Sequence, residues 1–84
     1  MSIELDLHGS TVSDAIHTIQ RTIVENPLCD LIIAIHGFNN GNALKTTLSN
    51  KYNIHNKRVI STSPYPYNEG RTIIYLKAVK FIGR

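Results

Sequence analysis

From its second residue the chain alternates. In SIELDLH, residues 2–8, Ile3, Leu5 and Leu7 fall on one side and Glu4, Asp6 and His8 on the other. That period of two predicts a strand with one buried face, broken by Gly9. The period then lengthens. Val12, Ala15, Ile16, Ile19 and Ile23 recur at helical spacing, with His17, Gln20 and Arg21 opposite. Ser10 or Thr11 can cap this helix, Asp14 puts a carboxylate in its first turn, and Pro27 ends it. DLIIAIHG, residues 30–37, is apolar on both faces and predicts a central strand beside a parallel neighbour. FNNGNA is a turn-rich loop. Asn42 can cap a second helix over ALKTTLSNKY, with Leu44 and Leu48 inward. KRVIST is a third, weaker strand. SPYPYNEG is a loop stiffened by Pro64 and Pro66, and RTIIYLKAVKFI is a long β-branched fourth strand. The order β-α-β-α-β-β predicts a two-layer α/β sandwich: a four-stranded mixed sheet with two helices, a parallel first pair and an antiparallel last pair.

Two apolar runs end in the same way, at Leu7-His8-Gly9 and at Ile35-His36-Gly37. Both corners stand where a strand turns into a helix, the edge at which open α/β sheets bind ligands. Helix starts offer free N–H groups and a positive dipole end to phosphate, and glycine lets the backbone come close. If the first two strands are neighbours, His8 and His36 can face one ligand. Asp6 and His8 share a strand face two residues apart. A carboxylate beside an imidazole can orient it, raise its pKa or share a metal with it, and such a pair can do acid–base work on a phosphodiester. The same spacing also fits a plain hydrogen-bonded surface pair, and a His-Gly corner can be no more than a turn. In PYPYNEGR, Tyr65 and Tyr67 can stack on unpaired bases and Arg71 can meet a phosphate; equally, the tyrosines can pack the loop onto the sheet.

Charge sharpens the choice. The net charge is +3 over 84 residues, consistent with one domain, residues 1–84. Residues 1–30 set Arg21 against Glu4, Asp6, Asp14, Glu25 and Asp30, a net −4. Residues 31–84 set Lys45, Lys51, Lys57, Arg58, Arg71, Lys77, Lys80 and Arg84 against Glu69, a net +7. A basic half is the footprint expected of a polyanion partner. The single cysteine, Cys29, excludes an intramolecular disulfide and a CxxC zinc site, and it reads as a semi-buried residue before a strand. No signal-like segment or membrane-length apolar run is present, so a cytoplasmic protein with no membrane role is expected. His17 and His55 read as surface histidines. FNNGNALK lacks the G-K-[ST] of a Walker loop.

Taken together, LDLHGSTVSDAIHTI, LIIAIHGFNNGNALKTTL and NEGRTIIYLK resemble the signatures of the Smr (small MutS-related) domain, in order and across nearly the whole chain. The resemblance implies a fold similar to the C-terminal domain of a bacterial translation initiation factor. It also implies nucleic-acid binding and endonuclease activity, by nicking of DNA or cleavage of RNA. In that family the Asp and His of L-D-x-H are the catalytic candidates, here Asp6 and His8. The H-G-x-G loop contacts nucleic acid, here through His36, Gly37 and Gly41. Where the family commonly has a basic residue and then glycine, this chain has Phe38 and Asn39. That change weakens phosphate contact and offers Phe38 for stacking.

The leading expectation is therefore a stand-alone Smr domain, expected to be monomeric, acting as an endonuclease on structured DNA or on RNA. Asp6 and His8 would polarise water or hold a divalent ion such as Mg or Mn. Gly9, Ser10, His36, Gly37, Phe38, Asn39, Gly41, Lys45 and Arg71 would contact the strand. The alternative is a non-catalytic nucleic-acid-binding module with a degenerate loop. A protein-interaction domain is a third option that leaves both corners unexplained, and any partner protein is expected to act in trans.

Overall fold

The computed structural model describes residues 1–37 and 42–79. Its elements are β1 (Ser2–Asp6), α1 (Val12–Glu25), β2 (Leu31–Ile35), α2 (Ala43–Leu48), a 3-10 turn (Lys51–Ile54), β3 (Val59–Pro64) and β4 (Arg71–Leu76). The sheet order is β1-β2-β4-β3. β1 runs parallel to β2, and β4 runs antiparallel to both β2 and β3. The expected two-layer arrangement is the one observed.

Alternation along each strand divides the sheet. Ile32 and Ala34 of β2 and Thr72, Ile74 and Leu76 of β4 are buried on the helix side, where Ile3 and Leu5 of β1 also pack. Ala15, Ile19 and Ile23 of α1 and Leu44 and Leu48 of α2 close over them. Each isoleucine buried in this way contributes about 1.5–3 kcal/mol. The other face carries Glu4 and Asp6 opposite Ile33 and Ile35, which pair in turn with Ile73 and Arg71. α1 begins where Thr11 Oγ1 accepts the Asp14 N–H at 3.1 Å, so Thr11 rather than Ser10 is the cap. It ends at Asn26, just before Pro27.

Three expectations need correction. α2 stops at Leu48 instead of running to Tyr52, and Asn42 makes no side-chain cap bond. Ser49 and Asn50 prefer local backbone bonding to helix interiors. Ser49 Oγ donates to the Thr46 carbonyl, and Asn50 caps the new 3-10 turn by accepting the Tyr52 N–H. β4 ends at Leu76, opposite the points where its neighbours begin, Leu31 of β2 and Val59 of β3; beyond it the Lys77 and Val79 N–H groups bond to the carbonyls of Arg58 and Pro27, ahead of those strands. The rest of the expected fourth strand, from Lys80, lies outside the described residues. Pro64 closes β3 rather than opening the loop, a position open to proline because β3 is an edge strand.

Candidate nucleic-acid interface

The register places Asp6, Ile35 and Arg71 side by side at one end of the sheet. Both His-Gly corners and the β3–β4 loop therefore open at that end. The corners touch: a Cβ built on Gly37 would lie 3.5 Å from the His8 Cβ. Gly9 and Gly37 adopt the same left-handed backbone, φ 79° and 75°. Neither position is crowded, so backbone conformation is what calls for glycine at each corner.

At the first corner Asp6 Oδ1 accepts from His8 Nδ1 at 2.5 Å and from the His8 backbone N–H at 3.2 Å. With the proton on Nδ1, the ring is oriented and its Nε2 is left as an acceptor. The side-chain hydrogen bond holds Asp6 below the usual carboxylate range, and the same bond lifts His8 above the usual imidazole range. The Asp6 and His8 side chains are 60% and 71% exposed. Among the described residues no group of three or more His, Cys, Asp or Glu side chains gathers to hold a metal.

The second corner differs. His36 is 6% exposed, and its Nε2 lies 2.9 Å from Thr72 Oγ1 on the helix side. Donation from Nδ1–H to the Gly37 carbonyl, 3.3 Å away, lets Nε2 accept the Thr72 hydroxyl. The two histidines thus leave the sheet on opposite sides and do not face one ligand. The N–H groups of both His36 and Gly37 donate to the Gly70 carbonyl, at 2.9 and 3.0 Å, so they are not free for phosphate. What this corner supplies is a fixed backbone against His8.

Among the flanking residues, Gly9 and Ser10 lie at the exposed turn before α1, where the Ser10 N–H donates to Leu7. Lys45 Nζ pairs with Glu69 at 3.2 Å, and Arg71 Nη1 pairs with Glu4 at 3.4 Å. The Arg71 guanidinium also lies 5.6 Å from the centre of the Tyr65 ring. Phe38, Asn39 and Gly41 lie outside the described residues. Sequence reasoning missed the acidic partners Glu4 and Glu69, the Thr72 hydroxyl and the Gly70 carbonyl. Glu4 was visible on the Asp6 face of β1, but its reach to Arg71 depends on β4 lying beside β2.

No family model matches the chain, and no curated protein does. Among solved structures, the chain is similar to the crystal structure of the Smr domain of Thermus thermophilus MutS2. The TM-score is 0.73 at 25% identity, over 88% of this chain and 96% of that one. Among the described residues no helix is long and apolar enough to cross a membrane.

Proposed function

Since the chain is an Smr-type domain, we propose that it binds nucleic acid at the corner end of its sheet and hydrolyses a phosphodiester there. The observation that carries this reading is the Asp6–His8 pair: a carboxylate fixes one imidazole nitrogen and leaves the other to act. Water attacks phosphorus, its proton passes to His8 Nε2, and the bond to the leaving oxygen breaks. Asp6 keeps the ring in place and stabilises the imidazolium, as an orienting carboxylate does in other catalytic pairs. Lys45 and Arg71 take the neighbouring phosphates and the developing charge. Their pairs with Glu69 and Glu4 are exposed, and such pairs are worth about 0–1 kcal/mol, so a phosphate can replace either acid. A hydrated Mg or Mn ion fits the donor chemistry through the Asp6 carboxylate together with substrate oxygens, where it would neutralise phosphate charge.

Two observations favour the non-catalytic alternative. The pair is open to water, and Phe38 and Asn39 replace the family's basic residue and glycine. A cleavage assay decides between them. Purified chain is incubated with end-labelled RNA, linear duplex, branched DNA and supercoiled plasmid, in magnesium, manganese or EDTA. An Asp6→Ala/His8→Ala double variant runs alongside. Product from the parent chain alone, with salt-dependent binding kept by both, is the expected result. Salt-dependent binding without product on any substrate would leave a binding module. No binding at all would remove the reading.

A further inference from the structure

We propose that Tyr67 is a base-stacking platform that selects strands with unpaired nucleotides at this site. The proposal rests on the nucleic-acid reading above and adds its substrate class. Tyr67 stands in the loop between β3 and β4, at the same end of the sheet as the Asp6–His8 pair. Its relative exposure is 109%, so the ring packs on nothing. Tyr65, by contrast, is half-buried with Arg71 over its ring. The two aromatics of this loop therefore have different fates: one holds the loop, and the other is presented.

The backbone makes this presentation costly. The Asn68 N–H donates to the Tyr65 carbonyl at 3.2 Å, closing a four-residue turn with Pro66 second and Tyr67 third. Tyr67 has φ 60°. Proline second and a positive φ third is the type II pattern, whose third position ordinarily belongs to glycine or asparagine. A side chain in the left-handed region costs on the order of 1 kcal/mol or more, and such strain persists where the surroundings over-determine it. They do so here: Asn68 Oδ1 accepts the Gly70 N–H at 3.0 Å, and the Asn68 carbonyl accepts the Arg71 N–H at 3.3 Å.

The turn is also tied to the catalytic corner. Gly70, three residues past Tyr67, gives its carbonyl to the N–H groups of His36 and Gly37, and Gly37 lies against His8. Lateral separation between β1 and β4 is two strand spacings, about 10 Å. An exposed ring carried by a loop that leads into β4, with Arg71 and Lys45 on the same loop's neighbours for phosphates, suits a base that has left its partner. Bases held in a duplex present no face to stack on, whereas unpaired ones do.

Binding anisotropy with short labelled oligonucleotides tests this. Unpaired RNA, unpaired DNA and a duplex of the same sequence are titrated with the parent chain, Tyr67→Ala and Tyr67→Phe. The expected result is unpaired strands bound about 5- to 150-fold more weakly by Tyr67→Ala, the range seen for loss of one stacked base. Duplex binding, carried by phosphate contacts, should change less than about twofold. Tyr67→Phe should keep the parent affinity. A 2-aminopurine base in the oligonucleotide should lose fluorescence on binding to the parent and Phe chains but not to the Ala chain. The RNA and DNA arms report which sugar the site accepts. Binding by Tyr67→Ala indistinguishable from the parent's on every unpaired strand overturns this proposal alone. Failure of the parent to bind any oligonucleotide overturns it together with the reading beneath it.

Discussion

Replacing Arg58 should cost this chain a large part of its stability while leaving its polyanion footprint unchanged. The guanidinium just before β3 collects five backbone carbonyls. Nη1 reaches Ile23 at 2.5 Å and Asn26 at 3.2 Å, Nη2 reaches Pro27 at 3.0 Å and Cys29 at 2.7 Å, and Nε reaches Lys77 at 2.8 Å. Four of these carbonyls belong to the last turn of α1 and the segment leading into β2. There the helix has orphan acceptors, the negative end of its dipole and no basic residue of its own. A charge-assisted hydrogen bond contributes about 1.5 kcal/mol at the low end of its range. Arg58 is half-buried, so water reaches some of these carbonyls after its removal. If half of each contribution survives that exchange, five bonds come to about 4 kcal/mol. A chain of this length is stable by about 4–13 kcal/mol in total, at 0.05–0.15 kcal/mol per residue. Arg58→Ala should therefore sit close to unfolding. Arg58→Lys, with one ammonium in place of a planar fork, should recover less than half of the loss. Urea unfolding followed by circular dichroism gives both values from the midpoint at constant slope. A loss under about 1 kcal/mol for Arg58→Ala, or equal stability for Lys and Arg, would refute the account. Because every donor set of Arg58 is spent on backbone, Arg58→Lys should also leave the salt dependence of nucleic-acid binding unaltered.

In the proposed hydrolysis, the Asp6–His8 pair makes cleavage depend on pH in a defined direction. His8 acts in its neutral form, and its pKa is raised above 6.5 by the Asp6 hydrogen bond, so the rate should climb with pH through a value above 6.5. Asp6→Asn should move that limb down toward 6.5, and an NMR titration of His8 should move with it; an unmoved titration would separate the two residues. Stability follows the same linkage. The raised His8 contributes fully below 6.5 and loses its contribution as pH rises through its folded pKa. The lowered Asp6 contributes above 3.8 and loses its contribution as pH falls through its folded pKa. The stability gap between the parent and Asp6→Asn should hence be widest between 3.8 and 6.5 and narrow on either side. Glu69→Gln should release Lys45, tightening nucleic-acid binding about two- to fivefold at low salt and steepening its salt dependence, with stability changed by less than about 1 kcal/mol. Weaker binding in a salt titration would show instead that Glu69 holds Lys45 in its working position.

The elements were legible wherever a period could be counted. The alternation of residues 2–8 and the helical spacing from Val12 to Ile23 each produced the expected element, and the doubly apolar Leu31–Ile35 lies in the middle of the sheet as its composition required. Where the chain punctuates itself through side-chain bonds, counting failed. Nothing in the apolar pattern around Leu48 shows that Ser49 and Asn50 will take the backbone away from the helix. Nor does the β-branched run after Arg71 show that its neighbours begin only at Leu31 and Val59, so that β4 ends opposite them at Leu76. Arg58 itself reads as one cation among eight in the basic half. Its five acceptors come from residues 19 to 35 positions away, which only the closed fold brings together.

The twinned His-Gly corners show the limit most sharply. In sequence they are the same phrase, an apolar residue, histidine and glycine, and in structure both glycines take the same left-handed turn. Their histidines part because the residue before each faces a different way. In β1 only one face is apolar, so the alternation itself says that Leu7 is inward and His8 outward with Asp6. In β2 both faces are apolar, and the pattern carries no information about which side Ile35 occupies. The register supplies it: Ile35 pairs with Asp6 and Arg71 on the open face, which sends His36 inward to Thr72. A buried imidazole with both nitrogens engaged holds the end of β2 to β4, and the same strand end gives its N–H groups to Gly70. The second corner therefore serves the first. It fixes the wall against which His8 stands and anchors the loop that carries Tyr67, and the proposed chemistry belongs to the corner whose histidine the alternation left in solvent.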